Sequence, residues 1–377
     1  MSSTTTAPPP TGEPIKLMVI SEAGGPLPHN DSGEGADAAA AAINRRGGIQ
    51  GRPVEILHCD SQGDPNAGRE CGREAVDEGV VALVGNLSFQ AGEFLPIMVE
   101  NQIPSIGATP VGVADVTSEA SFPLGGGVVS FGAGLSSVLA DQGAEQVASV
   151  LPDVPVANIY PEFVQQGLDP FGLEVASETI VPTGAPDMAT YVEDATGDGQ
   201  DGVMMVLEGE DNSNFVLTAV QDASPDVLFA ISVASQEPTR NLVEQLGDDS
   251  DRLFTIVNEK PWTLEDDPAV AEYRADMEAA GFDEFSDFRM RSYMAVMAVE
   301  QVAADMDVID APSLYEELGT VDDLDLGLMP PVDLTEGGKG GFARLFNICV
   351  AYASVEVESP VMLTGDFFDP TTGEPCT

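Results

Sequence analysis

Two short loops carry hydroxyl side chains beside glycines, a combination suited to holding a small ligand. The first reads GNLSFQAG and contains Ser88, and the second reads GATP and contains Thr109. Glycine lets a ligand approach the backbone closely, and a hydroxyl both donates and accepts hydrogen bonds. Taken singly, each loop also fits ordinary turn chemistry, because glycine and serine are common turn residues.

Three later loops carry side chains that would complement such a site. They read NIYPEF, LEGEDN and VNEKPW. Tyr160 in the first offers a flat apolar wall, and Glu259 in the third is suited to pairing with a cationic group. Because the chain has 64 acids, charge alone does not distinguish Glu259.

Signatures of catalysis and metal binding are missing from the sequence. There is no GxSxG elbow, P-loop or HExxH motif, and GGGVVSFGAG lacks the GxGxxG spacing. With two histidines and no CxxC pair, a zinc site is not expected either. The sequence predicts a protein that is not an enzyme and that uses no cofactor.

The order of predicted elements places the first two loops at strand ends. Apolar strand segments alternate with helical segments: IKLMVI (15–20), PVEILHCD (53–60), VVALVG (80–85) and IPSIGA (103–108). This alternation predicts an α/β fold with parallel sheets covered by helices. In such sheets ligands bind beyond the carboxyl ends of the strands, where Ser88 and Thr109 fall. An alanine-rich helix is expected to end near Arg46, because Gly47 suits the left-handed conformation that closes a helix.

The alternation restarts near Pro155, which indicates a second α/β unit. VPVANIY (154–160) is predicted as its first strand, followed by a helix through Leu173 to Thr179. GVMMVLEG, DVLFAIS and LFTIVNE are the later strands. Two such units in one chain predict two doubly wound lobes.

Charge and composition exclude several partners. The net charge is −50, from 64 acids and 14 bases, so nucleic-acid binding is not expected. No apolar run reaches the length of a transmembrane helix. The opening MSSTTTAPPPTGEP (1–14) predicts a flexible Ser/Thr/Pro linker. Such a linker favours a chain that once carried an upstream signal or lipid anchor, and the alternative is a disordered N-terminus without one.

Four cysteines, Cys59, Cys71, Cys349 and Cys376, favour two disulfides in an oxidising compartment. The 12 positions between Cys59 and Cys71 suit a local bridge, which leaves Cys349 for Cys376 near the C-terminus. Three pairings, and four reduced thiols, remain open at this stage.

The stretch from Gly35 to Gly85 resembles the N-terminal signature of type I periplasmic binding proteins, in particular the leucine/isoleucine/valine-binding group of ABC importers. The matching residues are Asn44, Gly47, Gly48, Ile49, Gly51, Asp60, Asp64, Pro65 and Gly85. IPSIGATP is similar to the group's next strand and loop, and GGFARLFNICVAYASVEV to its C-terminal hairpin. The likeness runs from Ile15 onward and is looser in the second lobe.

The resemblance implies two lobes joined by three crossings, near 126–130, 260–264 and 329–334. The lobes then comprise 15–128 plus 262–330 and 129–261 plus 331–377. It also implies that Cys59 and Cys71 clip a strand to the helix after it.

The resemblance further implies roles for individual residues. Ser88 with Gly107, Ala108 and Thr109 would hold a ligand carboxylate. Tyr160 would cover the ligand, and Glu259 would take its ammonium group.

Departures from the group's pattern bear on the ligand. The second serine after the third strand is replaced by Phe89, and Tyr160 is followed by Pro161 instead of glycine. Glu208 and Glu210 stand where small or aromatic residues are usual, which fits a cationic ligand or solvated surface charge. The resemblance therefore implies a small polar solute without naming it.

The expected function is that of a monomeric, extracytoplasmic solute-binding protein that closes on its ligand by hinge motion and delivers it to an ABC transporter permease. The alternative is a ligand-sensing domain of the same fold that acts in signalling. The expected location is the periplasm or the cell surface.

Overall fold

The chain divides into two units, each built from two separate segments. The computed structural model describes residues 9–24, 32–207, 209–222, 227–232 and 236–376. Unit 1 comprises Met1–Gly126 and Leu264–Asn347, and unit 2 comprises Gly127–Thr263 and Ile348–Thr377. The chain therefore changes unit three times, after Gly126, Thr263 and Asn347.

The chain stays with unit 1 from Leu264 to Asn347. The guanidinium of Arg344 lies 4.2 Å from the centre of the Phe122 ring, and its Nε donates to Ser121 O at 2.9 Å. The side chain of Asn347 donates to Leu124 O at 3.0 Å. These contacts hold Arg344 and Asn347 against the first segment, and sequence patterns do not reveal them.

The first segment forms the five-stranded sheet of unit 1. In chain order its elements are β1 (Ile15–Ser21), α1 (Ser32–Arg46), β2 (Val54–Asp60), α2 (Pro65–Asp77), β3 (Ala82–Val84), α3 (Ala91–Asn101), β4 (Ser105–Ile106), α4 (Val113–Thr117) and β5 (Ser121–Phe122). The strand order is β2-β1-β3-β4-β5, and every pair is parallel. All five strands therefore end at the same edge of the sheet.

The double glycine after α1 closes this helix as the sequence predicted. Gly47 and Gly48 have φ angles of 109° and 74°, and Gly48 N donates to Ile43 O at 2.9 Å. A Cβ on Gly48 would lie 2.1 Å from Arg52 O, so only glycine fits the turn. The side chain of Asn44 then bonds both the N–H and the carbonyl of Val54, each at 2.8 Å, and joins α1 to β2.

The second segment forms most of the seven-stranded sheet of unit 2. Its elements are α5 (Val128–Asp141), β6 (Val147–Pro152), α6 (Tyr160–Leu168), β7 (Ser177–Val181), α7 (Ala189–Thr196), β8 (Gly202–Met205), α8 (Glu210–Asp222), β9 (Leu228–Ile231), α9 (Gln236–Leu246) and β10 (Leu253–Val257). Strands β6 to β10 pair in parallel. The α/β class with parallel-rich sheets is confirmed.

The start of unit 2 differs from the sequence prediction. The predicted strand at 154–160 is a 3₁₀ helix, Pro155–Ile159, followed by α6, and Ser177–Val181 is a strand where a helix was expected. Proline lacks the N–H that a sheet needs and favours the first turn of a helix. Pro155 and Pro161 therefore direct this region into helical turns, and the buried run at Val147–Leu151 forms the strand instead.

The third segment returns to unit 1 and then to unit 2. It contains α10 (Pro268–Ala280), α11 (Asp287–Ala303), α12 (Ala311–Leu318), β11 (Ala351–Ser354) and β12 (Val361–Met362). Helix α11 packs on α1, where Arg289 Nε donates to Glu34 at 2.7 Å. β11 pairs antiparallel with β10 and with β12, which completes the order β12-β11-β10-β9-β8-β6-β7.

Both disulfides have the pairing that was favoured from spacing. Cys59 in β2 is bonded to Cys71 in α2, and Cys349 is bonded to Cys376. The second bridge fixes the C-terminal tail, where Cys376 N also donates to Phe367 O at 2.9 Å. The described residues contain no free cysteine.

Candidate ligand-binding site

Three buried polar side chains meet at the carboxyl ends of β1, β2 and β3 in unit 1. They are Glu22, Ser61 and Ser88, which are 2%, 0% and 4% exposed, and we call them the strand-end cluster. The hydroxyls of Ser61 and Ser88 lie 2.8 Å apart, and Ser88 Oγ donates to Glu22 Oε1 at 3.3 Å. Parallel strands place these residues together although they are far apart in sequence.

Ser88 lies where the sequence analysis placed it, just beyond β3. Besides its contacts in the strand-end cluster, its Oγ accepts from Gln90 N at 3.0 Å, at the start of α3. The neighbouring Phe89 keeps a side chain that is 40% exposed, and its backbone N–H donates to Glu22 Oε1 at 2.9 Å. A hydroxyl and a backbone N–H of this loop thus converge on one carboxylate oxygen.

Glu22 is the functional candidate that the sequence analysis missed. It follows β1 directly and is almost completely buried. One feature of the sequence could have pointed to Glu22. It is an acid immediately after an apolar strand, at the same edge of the sheet as the other candidate loops. Among 64 acids that signal was not distinctive.

Asn86 connects the loops that carry Ser88 and Thr109. Its side chain is 2% exposed, accepts from Ile20 N at 2.8 Å and donates to Ser105 Oγ at 3.1 Å. Its backbone carbonyl accepts from Thr109 N at 2.9 Å. Asn86 therefore ties β1, β3 and β4 together at their carboxyl ends, a role that no sequence motif indicated.

The predicted loop Gly107, Ala108 and Thr109 follows β4. Gly107 has a φ angle of 64°, and a Cβ there would lie 2.6 Å from that of Ala295 in α11. Ala108 and Thr109 are 4% and 7% exposed. In the described part of the chain, Thr109 Oγ1 makes no hydrogen bond, which leaves it available to a ligand.

The remaining predicted residues belong to unit 2. Tyr160 begins α6 and is 8% exposed, and Glu259 follows β10 and is 3% exposed. Next to it, the side chain of Asn258 donates to Cys349 O at 2.9 Å. Glu208 lies outside the described residues. The roles given to Tyr160 and Glu259 stay predictions.

No group of three or more histidine, cysteine, aspartate or glutamate side chains among the described residues is arranged to hold a metal ion. None of the helices in this part of the chain combines the length and apolar character needed to span a membrane.

Asp115, in α4 just after the Thr109 loop, is a buried carboxyl with a shifted pKa. It is 4% exposed, and its Oδ2 accepts from Gly112 N at 2.9 Å and from Val111 N at 3.3 Å. Burial raises the pKa of Asp115 from 3.8 to about 7, against the opposing effect of these backbone hydrogen bonds.

This pKa predicts a pH-dependent contribution to stability. Below about pH 4 the carboxyl is protonated in both states. Between about pH 4 and 7 the unfolded chain loses the proton while the folded protein keeps it, so the contribution falls by on the order of 2–4 kcal/mol as the pH rises. Urea unfolding of wild type and Asp115→Asn at pH 4, 5.5, 7 and 8 should show their difference changing across this range. Parallel pH profiles would contradict the raised pKa.

Comparison with known proteins identifies the family. A sequence profile described as "Periplasmic binding protein" matches residues 14–344. The chain belongs to the periplasmic binding protein family. This confirms the resemblance, and because the family is one of binding proteins it also confirms the expectation that the chain is not an enzyme.

Individual relatives are distant. The Leu/Ile/Val-binding protein of Escherichia coli (strain K12) is 32% identical over 77 residues, which are 20% of this chain and 21% of that protein. The match therefore spans about a fifth of the length of the curated relatives.

Solved structures share the fold over nearly the whole chain. The solute-binding protein of an ABC transporter from R. palustris, in complex with 4-hydroxybenzoate, has a TM-score of 0.77 at 16% identity and covers 97% of this chain and 98% of its own. The branched-chain amino acid transporter substrate-binding protein LivJ from Streptococcus pneumoniae str. Canada MDR_19A, in complex with isoleucine, has a TM-score of 0.73 at 15% identity, with 92% and 98% covered.

Proposed function

We propose that this protein is the extracytoplasmic solute-binding component of an ABC importer and that it holds a small polar solute at the carboxyl ends of the unit 1 strands. The observation that carries the proposal is the strand-end cluster, in which buried polar groups of three loops converge. The Thr109 loop is joined to the loop of Ser88 through Asn86 O, which accepts from Thr109 N at 2.9 Å. Buried polar side chains at strand ends of a parallel sheet are typical of ligand sites.

Family membership and the disulfides support the proposed role as an extracytoplasmic component of an ABC importer. Solved relatives with this fold are solute-binding proteins of ABC transporters, and their ligands include 4-hydroxybenzoate and isoleucine. Two disulfides suit an oxidising compartment such as the periplasm or the cell surface. The proposed partner is a membrane permease, and Tyr160 and Glu259 are the ligand contacts proposed on unit 2.

A thermal-shift screen tests the binding function. The purified protein is screened against amino acids, polyamines, amides, small carboxylates and aromatic acids. A ligand at a hundredfold over its Kd contributes about 2.7 kcal/mol, which raises the Tm of a chain this size by roughly 2–4 °C. If no compound raises the Tm and no ligand co-purifies, the proposed function loses its support.

A variant of Thr109 locates the site. Thr109→Val removes the hydroxyl but keeps the backbone N–H bond to Asn86 O, so the ligand-free protein should melt near the wild-type temperature. The ligand-induced shift should shrink or disappear, because the hydrogen bond to the ligand is lost. Thr117→Val is the matched control, since the Thr117 hydroxyl bonds within α4 to Val113 O. Equal ligand shifts in both variants would place the ligand elsewhere.

Measuring ligand uptake by cells distinguishes a role in transport from a role in sensing. Cells that lack the gene should accumulate the identified ligand more slowly than cells that carry it, and wild-type protein should restore uptake where Thr109→Val does not. Normal uptake without the gene would contradict the transport role and leave binding intact.

A further inference from the structure

Glu22 engages the hydroxyl of Ser88, which the resemblance assigns to a ligand carboxylate, and also the backbone N–H of Phe89. Its Oε1 accepts from Phe89 N at 2.9 Å and from Ser88 Oγ at 3.3 Å. The protein's own carboxylate thus takes the place of a ligand carboxylate at the loop after β3.

The position of Glu22 is fixed by its neighbours. Asp60, at the end of β2, accepts from Ala23 N at 3.0 Å and from Gly24 N at 3.3 Å through Oδ1. The bonds from Ser88 and Phe89 hold the side chain itself. Glu22 is therefore held from both the backbone and the side chain, and its placement is not that of a solvated surface acid.

No basic side chain of the described residues forms an ion pair with Glu22. Two basic residues of the first segment have acidic partners elsewhere, because Lys16 pairs with Glu78 and Arg69 pairs with Glu93. Glu22 is only 2% exposed and has no counter-ion among the described residues, so a ligand cation could serve as its partner.

The same arrangement disfavours an anionic ligand group. A second carboxylate at this loop would find Ser88 Oγ and Phe89 N already engaged, and two like charges at hydrogen-bond distance repel. The net charge of −50 acts in the same direction at longer range, because it attracts cations and repels anions.

We propose that Glu22 makes the unit 1 site selective for the cationic group of a small amine or guanidine, and that this site rejects a ligand carboxylate. The proposal rests on the proposed function and narrows its ligand class. Glu22 accepts the cation, and the hydroxyls of Ser88 and Ser61 lie beside it.

Matched pairs of compounds test the class. Agmatine and cadaverine are arginine and lysine without the carboxylate, so each pair isolates the contribution of that group. By calorimetry, wild-type protein should bind at least one of these amines at least tenfold more tightly than the amino acid from which it derives. Isoleucine and 4-hydroxybenzoate should bind more weakly than that amine.

Two variants of Glu22 test the residue. Glu22→Gln removes the charge and keeps an oxygen for Phe89 N, so the affinity for the amine should fall at least tenfold. Glu22→Ala frees Ser88 Oγ and Phe89 N to bind a ligand carboxylate. The difference in affinity between the amine and the amino acid should therefore become smaller or change sign. Glu100→Gln is the control, because it changes net charge equally at an exposed position of α3 that forms no ion pair with any described residue. The Tm of each ligand-free variant verifies folding.

Several results would overturn the inference. The first is that wild-type protein binds an amino acid as tightly as the corresponding amine. The second is that Glu22→Gln leaves the affinity for the amine unchanged, and the third is that neither amine binds. If another compound in the wider screen still raises the Tm, the proposed function stands and only the ligand class is wrong. If no compound binds in the thermal-shift screen or in the calorimetry, both the proposed function and the proposed ligand class are contradicted.

Discussion

Replacing Gly35 with alanine is expected to lower the free energy of unfolding by about 3 kcal/mol. A Cβ at this position of α1 would lie 1.8 Å from Arg289 O and 2.5 Å from Ser292 Oγ in α11. The first atom belongs to the backbone, so no side-chain rotation relieves the overlap, and the two helices must separate. Urea unfolding monitored by circular dichroism measures the change.

Gly92→Ala is the matched control for Gly35→Ala. Gly92 lies in α3, and a Cβ there would meet nothing within 4 Å. Alanine has the higher helix propensity, so this variant should be unchanged or more stable by about 0.5–1 kcal/mol. Equal stability of the two variants would show that α1 and α11 are not packed as closely as the structure indicates.

Replacing Asn86 with alanine is expected to reduce both stability and ligand affinity. The change leaves the buried Ile20 N–H without its acceptor and Ser105 Oγ without its donor. An unsatisfied buried polar group costs about 1–3 kcal/mol, so unfolding should become easier by about 2–3 kcal/mol. Affinity should fall as well, because Asn86 holds the loops of Ser88 and Thr109 in register.

Asn101→Ala separates the role of Asn86 from a general effect of losing an amide. The side chain of Asn101 donates to Ile97 O at 2.9 Å at the exposed end of α3. Its loss should change stability by less than about 0.5–1 kcal/mol and leave affinity unchanged. If Asn86→Ala lowers stability but binds the ligand normally, Asn86 supports the sheet and does not organise the site.

The first half of the fold followed from local signals in the sequence. The strand at Ile15, the helix end at Gly47 and the strand at Val54 depend on features that act over a few residues, namely apolar runs and glycine at a left-handed position. The first strand of unit 2 was predicted at the wrong position, because the apolar run at 154–160 contains one proline and is followed by another. Two apolar stretches, 147–152 and 154–160, could have formed the first strand of unit 2. The strand is Val147–Pro152, which is buried in the sheet between β7 and β8.

The candidate site was only partly predictable for a similar reason. Ser88 and Thr109 could be named as candidates because they follow strands, and strand ends can be predicted from the pattern of apolar residues. Asn86 and Glu22 were missed because their roles depend on contacts between residues 66 and 67 positions apart. Nothing local distinguishes Glu22 from other acids. Its lack of a counter-ion among the described residues is visible only in three dimensions.

The sequence by itself determined the α/β class, the family and a disulfide pairing that the structure bears out, because each depends on periodicity, motif spacing or cysteine spacing. Only the tertiary structure decided where the third change of unit falls and that Glu22 engages the donors of the β3 loop. Both depend on which distant segments pack together. That choice is made by the burial and hydrogen bonding of the whole chain, and no local stretch of sequence encodes it.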